Sequence, residues 1–317
     1  MKKSVLVTGG TAKNAPAIAV LILNIKQINN HLVDDIIVFH DGISNSDQET
    51  INKIRPVQFR LYNYPGNTDD FKDVIKNYFS TMIFCKYECF NLLNEYSTVI
   101  WSDYDVIIRK DISELLIPVS SGFRMMPDIH NTVKSMFFPE INAEINNYNL
   151  NIPGICMPLF VFFDNMIKYN EYYEYCINQT NKYASFLYLP EQCIINLLLQ
   201  DYNIKIEPID FNIYCAHPKF GKITNSTKII HAYAQPKFWN GLYNATWEKY
   251  YKKWRRMDGS KYVEYVKRDR FIINKLFNFI KKILKHIVGP VIYKRIKEVW
   301  ILCCSKDNED SMYKHSN

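Results

Sequence analysis

The chain has 317 residues, of which 48% are hydrophobic and 22% charged. This composition is typical of a folded globular protein and excludes disordered, collagen-like and disulfide-scaffold classes. The net charge of +7 is uneven, because residues 261–298 hold 11 Lys and Arg against 3 Asp and Glu, whereas residues 1–260 hold 26 of each. The charge therefore argues against a nucleic-acid-coating protein and indicates one basic segment near the C-terminus.

Strand and helix patterns alternate in the first half of the chain. Strands are predicted at 4–7, 35–39, 57–61 and 98–101, and helices at 15–28, 46–54 and 82–96. Ser46, with Glu49 three residues later, predicts the start of the second helix through a capping box. Such alternation is typical of an α/β protein whose mostly parallel sheet is covered by helices and binds ligands at its carboxyl edge.

The pattern is looser after residue 120. Further strands are predicted at 123–126, 159–163, 204–209 and 228–233, and helices at 164–175 and 190–200. The folded body is expected to end near Gly259, and the basic segment follows it. The sequence therefore predicts a domain at 1–260 and an extension at 261–317.

The cysteines and the apolar runs indicate the cellular compartment of the protein. The eight cysteines form no C-x-x-C pair, and their apolar surroundings are typical of buried free thiols in a reducing compartment. No secretory signal is predicted, because polar residues interrupt the first apolar stretch at 8–14. No apolar run reaches the roughly 20 residues that a spanning helix requires. We therefore expect a cytoplasmic protein.

Two carboxylates directly follow the strand predicted at 98–101. Asp103 and Asp105 are spaced i, i+2. In extended or turning chain both can reach one divalent cation, with a pyrophosphate completing its shell. This spacing is also common in solvated loops after strands, so the pattern alone leaves both interpretations open.

A histidine and a lysine lie at the end of the strand predicted at 228–233. His231 is followed six residues later by Lys237. An imidazole beside two carboxylates favours a borderline ion such as Mn²⁺ over Ca²⁺, and the lysine could cancel charge on a leaving phosphate. Taken alone, such a histidine is more often packed or hydrogen-bonded in a core than bound to a metal.

A third pattern opens the helix predicted at 190–200. Pro190 precedes Glu191 and Gln192, which lie in the first turn. Taken alone, this is a well-started amphipathic helix.

Together and in this order, the three patterns resemble the family 8 retaining glycosyltransferases, which include glycogenin and bacterial lipopolysaccharide galactosyl- and glucosyltransferases. The resemblance covers about residues 4–240. Residues 103–105 and 112–115 are similar to the family's D-x-D and its continuation, residues 231–239 to its H-x-x-G-x-x-K-P-W, and residues 191–196 to its D-Q-D-x-L-N. Residues 14–16 fall on its N-Y-A-P, Lys86 on the Arg of its Y-x-R, and Asp128 on an Asp that meets the donor sugar.

The resemblance implies a GT-A type nucleotide-sugar domain, an α/β fold with a mixed, mainly parallel sheet. The residues after 260 predict a helical basic extension that follows it. The resemblance also implies a retaining enzyme that moves galactose or glucose from a UDP-sugar to a glycan acceptor such as lipopolysaccharide. It implies that Asp103, Asp105 and His231 bind Mn²⁺, with Mg²⁺ as a second choice, and that Gln192, Asp128 and Lys237 are catalytic. The donor contacts that it implies are Thr8, Asn14, Lys86, Asp103, Tyr104, Asp105, Ala234 and Lys237.

Several residues depart from the family pattern. Ala234 stands in place of Gly, Phe238 in place of Pro, and Met157-Pro158-Leu159 in place of an N-[SA]-G element that supports sugar and acceptor contacts. A catalytically weak sugar-nucleotide- or glycan-binding relative is therefore the alternative function. A dinucleotide-binding site at Gly9-Gly10 is not expected, because no further glycines follow at the required spacing.

The basic segment has apolar residues at helical spacing, with Lys and Arg between them and Gly289-Pro290 as an interruption. We expect residues 261–300 to lie in the interface of an anionic membrane, on the inner face, beside a lipid-linked glycan acceptor. A helix packed on the domain with its charges in water is the alternative. Nucleic acid is not expected, because no recognition motif accompanies the charge.

Overall fold

The computed structural model describes residues 3–143, 145 and 147–266. Its strands are β1 Lys3–Gly10, β2 Asp35–His40, β3 Gln58–Leu61, β4 Tyr96–Ser102, β5 Val106–Ile108, β6 Phe123–Thr132, β7 Pro153–Phe163, β8 Glu207–Pro208 and β9 Ile229–His231. Its helices are α1 Ala15–Ile28, α2 Asn45–Ile54, α3 Glu88–Asn91, α4 Tyr169–Lys182, α5 Pro190–Asp201, α6 Phe211–Tyr214 and α7 Ala245–Arg256.

The main sheet has the strand order β3-β2-β1-β4-β7-β6-β8. Strands β3, β2, β1 and β4 are parallel to one another, β6 is parallel to β8, and β7 is antiparallel to both β4 and β6. This confirms the predicted α/β fold with a mixed, mainly parallel sheet. Because β1 and β4 are parallel neighbours, their carboxyl ends meet at one edge, which is where such folds bind ligands.

Helices cover both faces of the sheet, as predicted. Alternate residues along each strand enter two separate hydrophobic cores, so that Val5 and Val7 belong to one and Leu6 to the other. Helix α1 is buried along most of its length, from Ala15 to Ile25, and it packs against α2 and α7. Helix α7 was not predicted from the sequence, although Trp247 and Trp254 on its inner face are fully buried.

Two predictions in the first half are wrong in detail. The N-cap of α2 is Ser44, not Ser46, because the Ser44 hydroxyl accepts a hydrogen bond from the backbone N–H of Asp47 at 3.2 Å. The helix predicted at 82–96 is instead a chain of short turns, 3-10 at Thr81–Tyr87, α at Glu88–Asn91 and 3-10 at Leu92–Asn94. Its buried rings Phe84, Tyr87 and Phe90 are spaced by three residues, which is the repeat of a 3-10 helix.

The strand limits predicted in the second half also differ. Strand β7 begins at Pro153, well before the predicted 159, and β8 covers only Glu207–Pro208 of the predicted 204–209. The helix predicted at 164–175 is Tyr169–Lys182. Strand β7 lies between two neighbours and is buried on both faces, so its residues show no polar alternation that would reveal its length.

The small antiparallel pair β5–β9 lies outside the main sheet and places Val106 opposite His231. Most of the predicted extension at 261–317 lies outside the described residues, so its helices and its membrane contact stay predictions. Within the described residues, no helix is both long and apolar enough to cross a membrane.

Candidate active site

Asp103, Asp105 and His231 come together beyond the carboxyl end of β4. The two carboxylates lie on the link between β4 and β5, and His231 is the last residue of β9. Because β5 pairs with β9, the histidine is carried to the carboxylates by backbone hydrogen bonds, among them Ala232 N–H to the Asp105 carbonyl at 2.9 Å. One ligand atom from each of the three side chains lies within 4.8 Å of the other two.

The distances within this group fit a divalent cation. His231 Nε2 lies 3.0 Å from Asp105 Oδ1 and 3.9 Å from Asp103 Oδ2. Two ligands in neighbouring positions of an octahedral shell, each about 2.1 Å from the ion, are about 3.0 Å apart. Two carboxylates and an imidazole suit Mn²⁺ or Mg²⁺ better than a soft metal. The predicted ligands therefore form one group of suitable chemistry.

Lys237 reaches the same group from the chain after β9. Its Nζ donates to Asp105 Oδ2 at 2.6 Å and to the Ala232 carbonyl at 2.8 Å. Burial lowers the pKa of Lys237, but Asp105 outweighs this and holds the pKa above its ordinary value. Burial likewise raises the pKa of Asp105, but Lys237 and His231 outweigh it and hold that pKa well below its ordinary value. Both groups are therefore charged.

The turn that carries Lys237 is unusual at Ala234. This residue has a φ of 63°, in the left-handed region where an alanine costs about 1 kcal/mol relative to glycine. The resembled family has glycine at this position. The chain thus adopts a left-handed conformation here without glycine, at the expense of some strain.

Lys86 forms a second buried ion pair on the other side of Asp103. Its Nζ lies 2.8 Å from Glu191 Oε1 and 3.2 Å from Asp103 Oδ1, and it donates to the Met157 carbonyl at 3.0 Å. Burial lowers the pKa of Lys86, but Asp103 and Glu191 hold it above its ordinary value. Burial also raises the pKa of Glu191, which Lys86 offsets only in part. Trp101 Nε1 donates to Asp103 Oδ1 at 2.8 Å, so this carboxylate is fixed from two sides.

The predicted donor residues Thr8, Asn14 and Tyr104 lie at the end of β1 and beside it. Thr8 is fully buried, and within the described residues its hydroxyl has no hydrogen-bond partner. Asn14 Oδ1 accepts from the N–H of Thr11 at 3.0 Å. Tyr104 packs against Gly10, where an added Cβ would lie 2.9 Å from its ring, so only glycine leaves room for this tyrosine.

An aromatic stack extends from Tyr104 through Trp239 to Tyr262. The ring of Tyr104 lies 6.2 Å from that of Trp239, and Trp239 stacks on Tyr262 at 4.6 Å between ring centroids. The Tyr262 hydroxyl accepts from Asn14 Nδ2 at 2.8 Å. Residue 262, which the sequence placed in the extension, thus contacts the predicted donor residue Asn14.

Asp128 and Gln192 form no hydrogen bond with the proposed metal ligands Asp103, Asp105 and His231 in the described part of the chain. Asp128 is buried and accepts from the backbone N–H groups of His130 and Asn131, at 2.8 Å and 3.0 Å. Gln192 lies in the first turn of α5, next to Glu191, and its Oε1 is buried without a hydrogen-bond partner among the described residues.

The departure at Met157-Pro158-Leu159 lies in β7, directly beside β4. The side chains of Met157 and Leu159 are buried, at 1% and 2% exposed. Pro158 lacks an N–H, but its carbonyl accepts from the N–H of Asp103 at 2.9 Å. This element therefore supports the site through backbone carbonyls, whereas its side chains are apolar.

Sequence reasoning missed three residues of the site. Glu191 is the acidic partner of Lys86 and was named only as part of a motif, although it falls on the first Asp of the resembled D-Q-D. Tyr262 was assigned to the extension. Cys215, whose Sγ lies 3.2 Å from His231 Nδ1, carries no signal in the sequence, because neither its spacing nor its neighbours form a motif.

Solved structures share this fold at low sequence identity. The chain matches the galactosyltransferase LgtC, in complex with donor and acceptor sugar analogs, with a TM-score of 0.60 and 12% identity, over 80% of this chain and 99% of that one. It matches the WbbM bifunctional glycosyltransferase with a TM-score of 0.60 and 14% identity over 81% of this chain, and it spans only 51% of the length of WbbM. The glycosyltransferase GlyE of Streptococcus pneumoniae matches with a TM-score of 0.52 and 16% identity, over 81% of this chain and 64% of that one. These likenesses show the fold, which is of the GT-A type found in LgtC.

No curated protein matches the sequence. The model of glycosyl transferase family 8 matches residues 5–242, which include β1, the carboxylates after β4, and the segment from His231 to Trp239. The match spans most of the chain and contains all the motifs on which the resemblance rested. The chain therefore belongs to glycosyl transferase family 8.

Proposed function

We propose that this enzyme transfers galactose or glucose from a UDP-sugar to a glycan acceptor, with retention of the anomeric configuration and with Mn²⁺ as its metal ion. The observation that carries the proposal is the convergence on Asp105, where His231 Nε2 lies 3.0 Å from one carboxylate oxygen and Lys237 Nζ 2.6 Å from the other. This convergence supports the proposal that a metal ligand and a cation for phosphate act at one point. Membership of the family supplies the class of reaction.

Asp103, Asp105 and His231 would hold the ion. When bound, the ion neutralises negative charge on the diphosphate that leaves. Lys237 would stabilise the same negative charge on the leaving diphosphate. Its ammonium is buried against Asp105 and is therefore fixed in place before the reaction begins. A preorganised charge of this kind needs no reorganisation in the transition state, which is how electrostatic catalysis is usually achieved.

Thr8, Asn14 and Tyr104 would bind the nucleotide, and Gln192 and Asp128 the sugar. The buried oxygens of Thr8 and Gln192 have no hydrogen-bond partner within the described residues, and such groups are normally satisfied by a ligand or by water. Gln192 offers an amide and not a carboxylate to the sugar face. It is therefore a weak nucleophile, and we propose displacement on the same face rather than a covalent sugar–enzyme intermediate. Positioning by these residues alone can supply a large part of the rate.

The acceptor is proposed to be a lipid-linked glycan or lipopolysaccharide at the inner face of the membrane. Support comes from the basic residues at 261–300 and from LgtC, whose structure holds donor and acceptor sugar analogs. Each basic residue near an anionic surface adds about 1 kcal/mol of attraction at low salt. The enzyme would then be cytoplasmic and peripherally bound.

The second candidate is a catalytically weak relative that binds sugar nucleotides or glycans. It is favoured by Met157 and Leu159, whose buried apolar side chains offer a sugar no hydrogen bond. The two candidates differ in turnover and not in fold.

The experiment is a donor panel. We expect the purified protein to release UDP from UDP-galactose or UDP-glucose with Mn²⁺ present and to stop when EDTA removes the ion. The matched control is Glu207→Gln, which changes an exposed carboxylate at the sheet edge in β8. Binding of these donors without release of UDP would favour the second candidate, and release that persists in EDTA would contradict the metal assignment.

A further inference from the structure

His231 presents its two ring nitrogens to different partners. The side chain is only 5% exposed. Its Nε2 faces the carboxylates of Asp105 and Asp103, whereas its Nδ1 lies 3.2 Å from the Sγ of Cys215. The ring is therefore held at both ends, by the carboxylates on one side and by a thiol on the other.

Histidines that bind metals usually donate the proton on their second nitrogen to a carboxylate or a carbonyl. This partner orients the ring. Building on the proposed metal site, we propose that Cys215 is the positioning residue for His231, its thiol holding the imidazole with Nε2 directed at Asp103 and Asp105.

The chemistry of a thiol suits this position. When Nε2 binds a cation, the ring proton is on Nδ1, and that N–H donates to Sγ. When the proton is on Nε2, which then donates to Asp105, the S–H of Cys215 donates to Nδ1. A carboxylate could accept but not donate, and it would add a third negative charge beside Asp103 and Asp105. The thiol can thus hold the imidazole ring in the same orientation whichever ring nitrogen carries the proton. It also adds no charge to the site.

The backbone fixes Cys215 against His231. Cys215 is 1% exposed and ends α6, where its N–H donates to the Phe211 carbonyl at 2.8 Å. The next residue, Ala216, forms a bridge to β9, with the N–H of His231 donating to its carbonyl at 3.1 Å. The thiol and the imidazole thus lie on adjacent, hydrogen-bonded segments, so that the contact is a built-in feature of the fold.

The first test measures Mn²⁺ binding in the presence of UDP, through the electron paramagnetic resonance signal of free Mn²⁺. Cys215→Val keeps most of the volume and removes the hydrogen bond, whereas Cys215→Ser keeps a group that both donates and accepts. The control is Cys176→Val, which alters another fully buried thiol, in α4. We expect Mn²⁺ to bind about 10-fold more weakly to Cys215→Val, with Cys215→Ser close to the wild type and Cys176→Val unchanged. Thermal unfolding of all variants shows whether stability alone accounts for the loss.

The second test needs no metal. With ¹⁵N-labelled histidine, the ring signals of His231 are identified by their loss in His231→Gln. They should shift in Cys215→Val and Cys215→Ser but not in Cys176→Val. Unchanged ring signals, or wild-type Mn²⁺ affinity in Cys215→Val, would overturn the inference. A wild-type protein that binds no Mn²⁺ would instead contradict the proposed function, while the ring signals would still decide the role of Cys215.

Discussion

Asp105 and Lys237 are 132 residues apart in the chain, yet their Oδ2 and Nζ atoms lie 2.6 Å apart. Their side chains are 8% and 17% exposed, so the pair is largely withdrawn from water. Removing one partner of such a pair leaves a buried charge uncompensated, which costs more than the pair contributes when it is intact. The site is therefore also part of what holds the β9 segment to the domain.

The two carboxylates should differ in their effect on stability. We expect Asp105→Asn to lower the free energy of unfolding by about 2–4 kcal/mol, because Lys237 loses its charged partner. Asp103→Asn should cost only about 1 kcal/mol, because Asp103 is 26% exposed and Lys86 keeps Glu191. Both variants should lose UDP release. Urea unfolding and the donor assay check this, and equal losses of stability would show that burial does not distinguish the two.

Lys237→Ala should lower kcat more than it raises KM. The lysine is proposed to act on negative charge that grows in the transition state, and removing such an interaction affects the chemical step. Steady-state kinetics with the preferred UDP-sugar measure both constants. A change in KM alone would mean that Lys237 binds the ground state and the transition state equally, contrary to the assignment.

The Lys86–Glu191 pair should tolerate a paired exchange better than either single one. Lys86→Arg adds bulk in a buried place, and Glu191→Asp withdraws the carboxylate, so each should cost about 1–3 kcal/mol of stability. In the double variant the longer arginine can reach the shorter aspartate. The loss in free energy of unfolding should therefore be smaller, by about 1 kcal/mol, than the sum of the losses in the two single variants. Urea unfolding of the four proteins forms the cycle. Strictly additive costs would argue that the two side chains do not compensate each other.

His217 predicts a pH dependence of stability. Burial, aided by the charges of His231 and Lys237, lowers its pKa from 6.5 to about 4. The unfolded chain takes up a proton below about pH 6.5, whereas the folded protein does so only near pH 4, so this histidine makes the protein less stable as pH falls from 6.5 towards 4. In His217→Gln this contribution is absent. Between pH 7.5 and pH 5 the Tm of the wild type should therefore fall more than the Tm of His217→Gln. An equal fall in the two proteins would contradict the lowered pKa of His217.

Truncation after Val266 should separate membrane binding from chemistry. The cut must leave Tyr262, whose hydroxyl supports Asn14. We expect the full chain to float with phosphatidylglycerol vesicles and not with phosphatidylcholine vesicles, and the truncated protein to float with neither while still releasing UDP. Equal flotation of the two proteins would refute the membrane role of the basic segment.

The fold was predictable where burial alone defines an element. The runs at 4–7, 35–39 and 98–101 are apolar on both faces and correspond to β1, β2 and β4 in the parallel part of the sheet. The short turns at 81–94 could not be distinguished from one long α-helix by periodicity. Phe84 and Tyr87 are three residues apart, and this spacing occurs on one face of both a 3-10 helix and an α-helix. Helix α7 was missed although its buried aromatic residues recur at helical spacing after the N-cap Asn244; these residues are Trp247, Tyr250, Tyr251 and Trp254.

The sequence predicted those residues of the site that belong to recognisable motifs. Asp103, Asp105, His231 and Lys237 could be named from residue type, order and the family resemblance, and the structure brings them together. Cys215 and the pairing of Lys86 with Glu191 could not, since they depend on which segments lie side by side. Such contacts arise from the bridge between Ala216 and Ile230 and from the packing of α5 on the 3-10 segment Thr81–Tyr87, which no local pattern encodes.

Tyr262 connects the end of the described chain to residues of the proposed nucleotide site. Its hydroxyl is bonded to Asn14, and its ring stacks on Trp239, which lies against Tyr104. Tyr265, between Tyr262 and Val266, packs on Trp247 and Tyr251 of α7, so the last described residues are held to the domain at two points. Because coupling between binding free energies at linked groups is reciprocal, a molecule that binds Asn14 and Tyr104 more tightly when Tyr262 is docked also stabilises the docked Tyr262.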